Sequence, residues 1–549
     1  MNTKSFIRKL TTTVTGGALI IAGTSILSRF LGLLRDRLLA STFGGGGALD
    51  PYFAAFKVPD LIFSTLVLGA LSSSFIPVFI GYIKKDDGVS RKEAWRVANS
   101  ILNLLLIVLI VLGALFYIFA PQIIPLIAPG FSPDKQDITV QLSRVMLIAI
   151  VFFGMSNVVS GILNAMKRFT AFAMAPVMYN IGIIFGIVAL TPRYGIMGLA
   201  YGVVFGAFMH LGIQIPSVLR VGFRYQRILD FKHPGVRKIG ALMVPRTIGL
   251  AVNQLDLLVN TIIASTLVAG SITVYNFANN LQNFPINVFG VSLAIAAFPV
   301  LSEAFADHDR GKFVHQFSET VRRILYLMIP ISILFLLLRA QIVRVILGAD
   351  AYSWNATYLT AQMLGIFSLS LFAQSLIPTL ARSFYAHHDT KSPVKIAMVS
   401  VVVDISLALI LSKRFGALGL AGAYSTANLL NMFLLYYFLR KKFGALDDTR
   451  IVKSGIKIVI ASVLMGAIVV GMKYFLALGV NMTTFVGIFL QGLVAGVVGL
   501  LSYFFITLFL RCEEVVMIRD WVLRIWRKIR NGKNGGDPSH PEANVAANE

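Results

Sequence analysis

The sequence predicts an all-α polytopic membrane protein of about fourteen transmembrane helices. They are expected as two six-helix lobes in a parallel pseudo-twofold repeat, followed by two extra C-terminal helices. Four observations carry this. Only 13% of the 549 residues are Asp, Glu, Lys or Arg, against about 25% in soluble domains. The apolar set reaches 56% with a mean hydropathy of +0.77, so the polar surfaces of several soluble domains cannot be built. Apolar runs of about 20 residues recur from end to end, each long enough to cross roughly 30 Å of hydrocarbon. Finally, short motifs repeat at an offset close to 221 residues.

The expected spans are 14–40, 52–82, 97–120, 141–165, 172–190, 197–219, 238–268, 272–301, 321–347, 357–384, 394–412, 417–439, 453–477 and 483–510. The runs are continuous rather than alternating, which favours helices over barrel strands. Lys4, Arg8 and Lys9 before the first run resemble a signal peptide, but no small-x-small site follows, so this run reads as a retained first helix.

The repeat sets the division into lobes. Tyr194-Gly-Ile-Met-Gly-Leu-Ala matches Phe415-Gly-Ala-Leu-Gly-Leu-Ala, Phe75-Ile-Pro77-Val matches Ala297-Phe-Pro299-Val, and Pro176-Val matches Pro393-Val. Six helices separate the copies, an even number, so both halves share one orientation. The expected units are 1–220 (helices 1–6), 221–445 (helices 7–12) and 446–511 (helices 13–14). Residues 512–530 follow as a basic amphipathic helix on the anionic inner leaflet, and 531–549 as a disordered tail.

The formal charge of +24 would point to nucleic acid in a soluble protein. Here about 36 of the 49 cations fall on alternate loops and the tail, so the excess is topological. It places both termini in the cytoplasm and implies no nucleic-acid partner. The lone Cys512 excludes an internal disulfide and a thiolate zinc site. No metalloprotease His pair, P-loop or G-x-S-x-G is present, so a transporter without a cofactor is expected rather than an enzyme.

Charges inside spans are costly unless they face water or a partner. Helix 1 carries Arg29, Arg35 and Asp36, and guanidinium is well suited to phosphate oxygens. Arg29 and Asp36 lie seven residues apart, nearly two turns, and so share a face. Lys57 and Asp60 flank Pro59 in helix 2, with Asp50 at its outer end as a cap or gate. Helix 7 brings Arg246, Asp256 and Asn260, and helix 8 is dense in amides, including Asn279 and Asn280. Such amides suit a wet cavity. Helix 11 has one acid, Asp404. With Asp256 and Asn260 it could hold Na+ or a proton and couple transport to an ion gradient or the membrane potential.

Several of these motifs are similar to those of the MurJ/MviN lipid II flippase family. They are Ser28-Arg29-x-x-Gly32-x-x-Arg35-Asp36, Phe43-Gly44…Asp50-x-x-Phe53, Ala55-Phe56-Lys57-x-Pro59, Ala128-Pro-Gly-Phe131, Gly161-Ile-Leu-Asn164-x-x-x-Arg168-Phe169 and Asp389-Thr-Lys391-Ser-Pro393-Val-Lys395. The resemblance covers about residues 10–510. It implies the MOP exporter fold, alternating access, and flipping of undecaprenyl-pyrophosphate-linked peptidoglycan precursor across a bacterial plasma membrane. It also implies that Arg29, Arg35 and Asp36 bind the headgroup.

Two stretches depart from the family. After Pro59 the chain reads Asp60-Leu-Ile-Phe63-Ser64, where the family has Asn and two Arg. In helix 8 it reads Ala278-Asn279-Asn280-Leu281 instead of Ala-Asp-Arg-Leu. Arg246 and Lys57 are the expected replacements for the missing cations. The alternatives are an exporter of another polyprenyl-linked glycan or small molecule, and a non-transporting scaffold for cell-wall enzymes.

Overall fold

The computed structural model describes residues 14–68, 70–83, 88–349 and 351–515. Its helices coincide with the expected spans. They are α1 (Val14–Phe43), the interrupted α2 (Asp50–Ala55, Lys57–Phe63 and Ala70–Ile83), α3 (Gly88–Ile127), α4 (Pro133–Ala165) and α5 (Phe169–Phe185). Next come α6 (Met197–Gly212), α7 (Pro234–Ser265), α8 (Ser271–Pro285 and Ser292–Ala306) and α9 (Arg310–Leu337). After a short helix, Arg339–Leu347, come α10 (Trp354–Ser368 and Leu371–Ala386), α11 (Lys391–Phe415), α12 (Ala417–Phe443), α13 (Asp448–Gly479) and α14 (Phe485–Phe509). Among the described residues ten helices are individually long and apolar enough to cross a membrane. The two halves of α10, bent by 47°, make an eleventh. Over their described residues α1, α2 and α7 do not meet that measure, so length and composition alone do not fix the count at fourteen.

The backbone repeats as the sequence does. Gly195 (φ 56°, ψ −140°) and Gly416 (φ 57°, ψ −136°), both left-handed, precede α6 and α12. Lys167 (φ 57°) corresponds to His388 (φ 58°), and Gly47 (φ 97°) to Gly270 (φ 95°). A π turn interrupts α2 at Ser64–Leu68 and α8 at Ile286–Val291, in each case before the matched Pro77 or Pro299. π turns shift helical register and are frequent at functional sites.

Five apolar clusters form the core. One joins α2–α4 to α6 and the start of α7, one lies mainly in α8–α12, one joins α9 to α13 and α14, and two more run between the halves. Helices α5 and α6 touch backbone to backbone: a Cβ on Gly182 would lie 2.2 Å from Gly206 Cα, and one on Gly186 2.5 Å from Gly202 Cα. Such stripes of small residues replace the hydrophobic drive that lipid cannot supply.

Prolines inside spans each free a carbonyl four residues earlier, which hydrocarbon cannot satisfy. Three of these carbonyls are met from a neighbouring helix. Ser143 Oγ donates to Ala55 O, freed by Pro59, at 3.4 Å. Arg144 Nε donates to Tyr117 O, freed by Pro121, at 3.0 Å, and its guanidinium stacks on the Tyr117 ring. Tyr503 Oη donates to Tyr326 O, freed by Pro330, at 2.8 Å. Arg144, a span cation with no role assigned from sequence, is thus a backbone partner.

The C-terminal pair is tied down near the end of α14. Arg322 on α9 is 1% exposed and pairs with Glu514 at 2.7 Å and Glu513 at 3.0 Å. Ser454 Oγ donates to Glu514 at 2.9 Å, and Arg450 pairs with Glu513 at 2.5 Å. Arg322 and Arg450 thus clamp α9, α13 and the segment leaving α14. The basic helix expected at 512–530 lies outside the described residues beyond Val515, as does the tail 531–549.

Candidate functional site

The polar residues of α1, α2, α7 and α8 gather in three places, two between the halves of the bundle and one within the second half. The first centres on Asp36, 3% exposed on α1. Arg35 Nε and Nη2 donate to Asp36 Oδ1 at 3.0 and 2.8 Å, and Arg35 Nη1 reaches Asn180 Oδ1 on α5 at 3.4 Å. Asn180 Nδ2 in turn donates to Ser28 O at 3.2 Å and Ser28 Oγ at 3.1 Å, pinning α5 to α1. From the opposite half, Asn280 Nδ2 donates to Asp36 Oδ2 at 3.0 Å. Asn280 therefore stands where the family resemblance leads one to expect Arg, and a neutral amide fills the second face of the carboxylate. Arg35 and Asp36 balance each other.

Arg29, almost two turns earlier, is half-buried and has no ion-pair partner among the described residues. Beside it Phe30 meets Phe284 of α8 edge-on, with ring centroids 6.0 Å apart. On α2, Lys57 is half-buried and close enough to Asp60 for the two charges to attract, so its charge is partly matched locally. The side chain of Arg246 lies outside the described residues; its backbone continues α7.

The second place is the junction of the corresponding loops near Gly47 and Gly270. Asp50, 3% exposed, opens the first piece of α2. Its Oδ2 accepts from Gly270 N at 2.7 Å, and its Oδ1 accepts from Thr273 N at 2.9 Å and Thr273 Oγ1 at 2.7 Å. The carboxylate of one half thus caps the N-terminus of α8 in the other, where free N–H groups and the helix dipole favour a negative charge. Only glycine fits here: a Cβ on Gly270 would lie 2.3 Å from Gly45 O. Nearby, Arg37 donates to Val345 O at 2.5 Å and stacks over Phe485 of α14 at 5.1 Å. Arg37 is thus a second tie between α1 and the other half.

The third place lies between α7, α11 and α12. Asn260 Nδ2 donates to Asp404 Oδ2 at 2.9 Å. Asp404 is 1% exposed, and the Asp256 carboxyl lies close enough for the two negative charges to repel. Asp256, Asp404, Ser400, Tyr424, Asn428 and Asn431 line a cavity of about 190 Å³. Asp256 Oδ1, Asp404 Oδ1, Asn260 Oδ1 and Asn431 Oδ1 are buried and accept no hydrogen bond from the described residues. Unpaired buried acceptors of this density are costly without a cation or proton.

A relay of side chains joins this cavity to α8. Gln282 Nε2 donates to Asn279 Oδ1 at 2.8 Å, Gln374 Nε2 donates to Gln282 Oε1 at 3.0 Å, and Tyr424 Oη donates to Gln374 Oε1 at 3.5 Å. Gln282 is fully buried and Gln374 nearly so. Asn180 and Gln374 were missed from sequence. The signal available was a lone amide inside an apolar span, the same criterion that singled out the α8 amides.

Comparison with known proteins bears on the whole assembly. The family model described as "Lipid II flippase MurJ" matches residues 39–491. The lipid II flippase MurJ of Burkholderia cenocepacia is 30% identical over 437 residues, 77% of this chain and 83% of that one. A relative from Rickettsia prowazekii is 29% identical over 460 residues, covering 83% of this chain and 90% of its own. A solved lipid II flippase MurJ in an inward closed conformation superposes with a TM-score of 0.75 at 25% identity, over 90% of this chain and 99% of that one. A multidrug-resistance MATE transporter of the MOP superfamily shares the fold, with a TM-score of 0.64 at 17% identity over 77% and 96% of the two chains. The chain belongs to the MurJ lipid II flippase family and has the MOP-superfamily fold.

Proposed function

We propose that this protein moves lipid II from the cytoplasmic to the outer leaflet by alternating access of its two halves. One observation carries the reading beyond family membership. The polar groups that join the halves sit at two levels, Asp36–Asn280 deep in the bundle and Asp50–Thr273 at the end away from Val515, with Arg29, which has no ion-pair partner among the described residues, almost two turns from the deeper one. A diphosphate headgroup is recognised by guanidinium forks in a site shielded from water. Arg29, without an ion-pair partner among the described residues, is the cation for that role; Asp36 holds the Arg35 fork in place, Arg35 supplies further donors, and Asn279 and Asn280 contribute amides. Lys57 and Arg246 add charge in place of the family's missing arginines. The +24 charge and its loop distribution support an orientation with both termini in the cytoplasm, so that the Asp50 latch closes the outer side. The basic residues after Val515 then face the anionic inner leaflet.

The cavity at Asp256, Asn260 and Asp404 fits an alkali cation. Its orphaned atoms are hard oxygens, which suit Na+ rather than soft metals. The repeat supports the same reading: in the first half Asp36 already holds a cation, the Arg35 guanidinium, whereas the Asp256–Asp404 pair has none among the described residues. Bound there, Na+ would neutralise the acid pair, and the amide relay through Gln374 would carry a change of state toward α8. A proton shared by the two acids is the alternative coupling species.

The test is complementation of a strain whose own lipid II flippase can be shut off. Growth with externalised lipid II supports the proposal. Well-expressed protein in the membrane without externalised precursor contradicts it.

A further inference from the structure

The ends of α1, α9, α13 and α14 that lie away from Val515 converge on the short helix Arg339–Leu347. Lys473 Nζ donates to Leu337 O at 2.8 Å and Arg339 Nη1 donates to Leu336 O at 2.7 Å. The two cationic heads therefore sit on neighbouring carbonyls at the last turn of α9, close enough to repel. Both are half-buried, and neither has a carboxylate within ion-pair distance among the described residues. Arg37 and Arg344, also half-buried, flank the other end of the same helix.

Cations at a helix C-terminus normally serve as caps. Capping explains one hydrogen bond from each head. It does not balance the charge, because a helix end carries about half an elementary negative charge against two full positive ones. Lys473 has two further N–H groups and Arg339 four. Gln341 Oε1, on the same short helix, is buried with no donor among the described residues, while its Nε2 donates to Gln491. The neighbours of Lys473 face outward: Tyr474 is 74% and Phe475 70% exposed. Surplus positive charge, an unfilled acceptor and adjacent apolar surface open to lipid are the elements of a headgroup site.

We propose that Lys473 and Arg339 bind the phosphate of a lipid headgroup at this end of the bundle, with Gln341 Oε1 accepting from a headgroup hydroxyl. The orientation proposed above places the site in the outer leaflet; the binding chemistry does not depend on it. The ligand is a resident anionic phospholipid or the diphosphate of an exported lipid, since both present the same anion.

Native mass spectrometry of the detergent-purified full chain, titrated with phosphatidylglycerol or phosphatidylcholine, tests this. The variant is Arg339→Gln with Lys473→Gln, which removes both charges and keeps an amide donor at each position. At least a fivefold loss of phosphatidylglycerol binding is expected, with phosphatidylcholine unchanged. The charge-preserving pair Arg339→Lys with Lys473→Arg should bind nearly as well as the parent. Undecaprenyl diphosphate run in parallel names the source: tighter binding with a larger loss assigns the site to exported lipid, and equal behaviour to resident lipid. Unchanged binding in the Gln variant overturns the proposal. So does equal loss of both phospholipids, or displacement by inorganic phosphate at millimolar concentration.

Discussion

Replacing Asp50 with Asn should unlatch the end of the bundle that the two loops close. The parent carboxylate accepts three hydrogen bonds from the opposite half, at 2.7, 2.9 and 2.7 Å. Asn keeps one oxygen for Thr273 but turns an NH2 toward the Gly270 N–H, so one bond is lost and two donors face each other. A hydrogen bond to a charged group contributes about 1.5–3 kcal/mol, and a carboxylate at a helix N-terminus about 0.3–1 kcal/mol. The closed state therefore loses about 2–4 kcal/mol. At about 1.4 kcal/mol per factor of ten, the closed-to-open ratio falls about 30-fold to several hundredfold. The probe is Ala54→Cys in a Cys512→Ser background, since Ala54 is fully buried in a cluster that includes Ile272 and Tyr275 of α8. Reaction of purified protein with a soluble thiol reagent should accelerate by at least tenfold when Asp50→Asn is added. An unchanged rate in a folded variant would refute the latch.

Four further outcomes are expected. Na+ should raise the thermal midpoint of the purified protein relative to choline, as a ligand at 100 times its dissociation constant adds about 2.7 kcal/mol, and Asp404→Asn should abolish the difference. Gln374→Leu cuts the relay while keeping volume, so it should uncouple transport from the ion gradient yet leave the Na+-dependent midpoint in place; retained coupling in a flipping assay would dismiss the relay. Tyr503→Phe leaves Tyr326 O unpaired beside Pro330 and should cost about 1–3 kcal/mol, read as a lower thermal midpoint, whereas Phe505→Leu on the lipid face should do little. Arg450 holds the Glu513 carboxyl below its ordinary value of 4.5 by hydrogen bonding, opposed by burial. A lowered pKa contributes stability above the unfolded value and loses it as pH falls through the folded one, so acid should loosen the α9–α14 clamp, and Glu513→Gln should remove that pH dependence from the unfolding midpoint.

The helices were legible because hydrocarbon imposes one rule, about 20 apolar residues per crossing, and each expected run coincides with a helix or an interrupted one. The repeat was legible through glycines and prolines, whose backbone demands survive when side chains diverge; Gly195 and Gly416 share their dihedrals to within a few degrees. Asp36, Asp50, Asp256, Asn260, Asn280 and Asp404 were singled out as charges or amides in spans, and the structure pairs Asp36 with Asn280 and Asn260 with Asp404. What the sequence could not reveal is cross-helix. Arg322 and Arg37 look like loop-end cations until α14 and its neighbours are placed beside them. Arg144 looks unexplained until Pro121, on another helix, frees the carbonyl it meets. The π turns left no pattern in the apolar runs, because hydrophobicity reports burial and not hydrogen-bond register.

If Arg29, with no ion-pair partner among the described residues, grips a diphosphate lipid as proposed, transport must depend on its charge. Purified protein in liposomes loaded with lipid II, with externalised lipid read by an impermeant enzyme or probe, tests it directly. The account predicts protein-dependent externalisation that Arg29→Gln reduces at least tenfold and Arg29→Lys partly restores. Flipping by Arg29→Gln at the parent rate, or none by the parent in well-inserted vesicles, would contradict it.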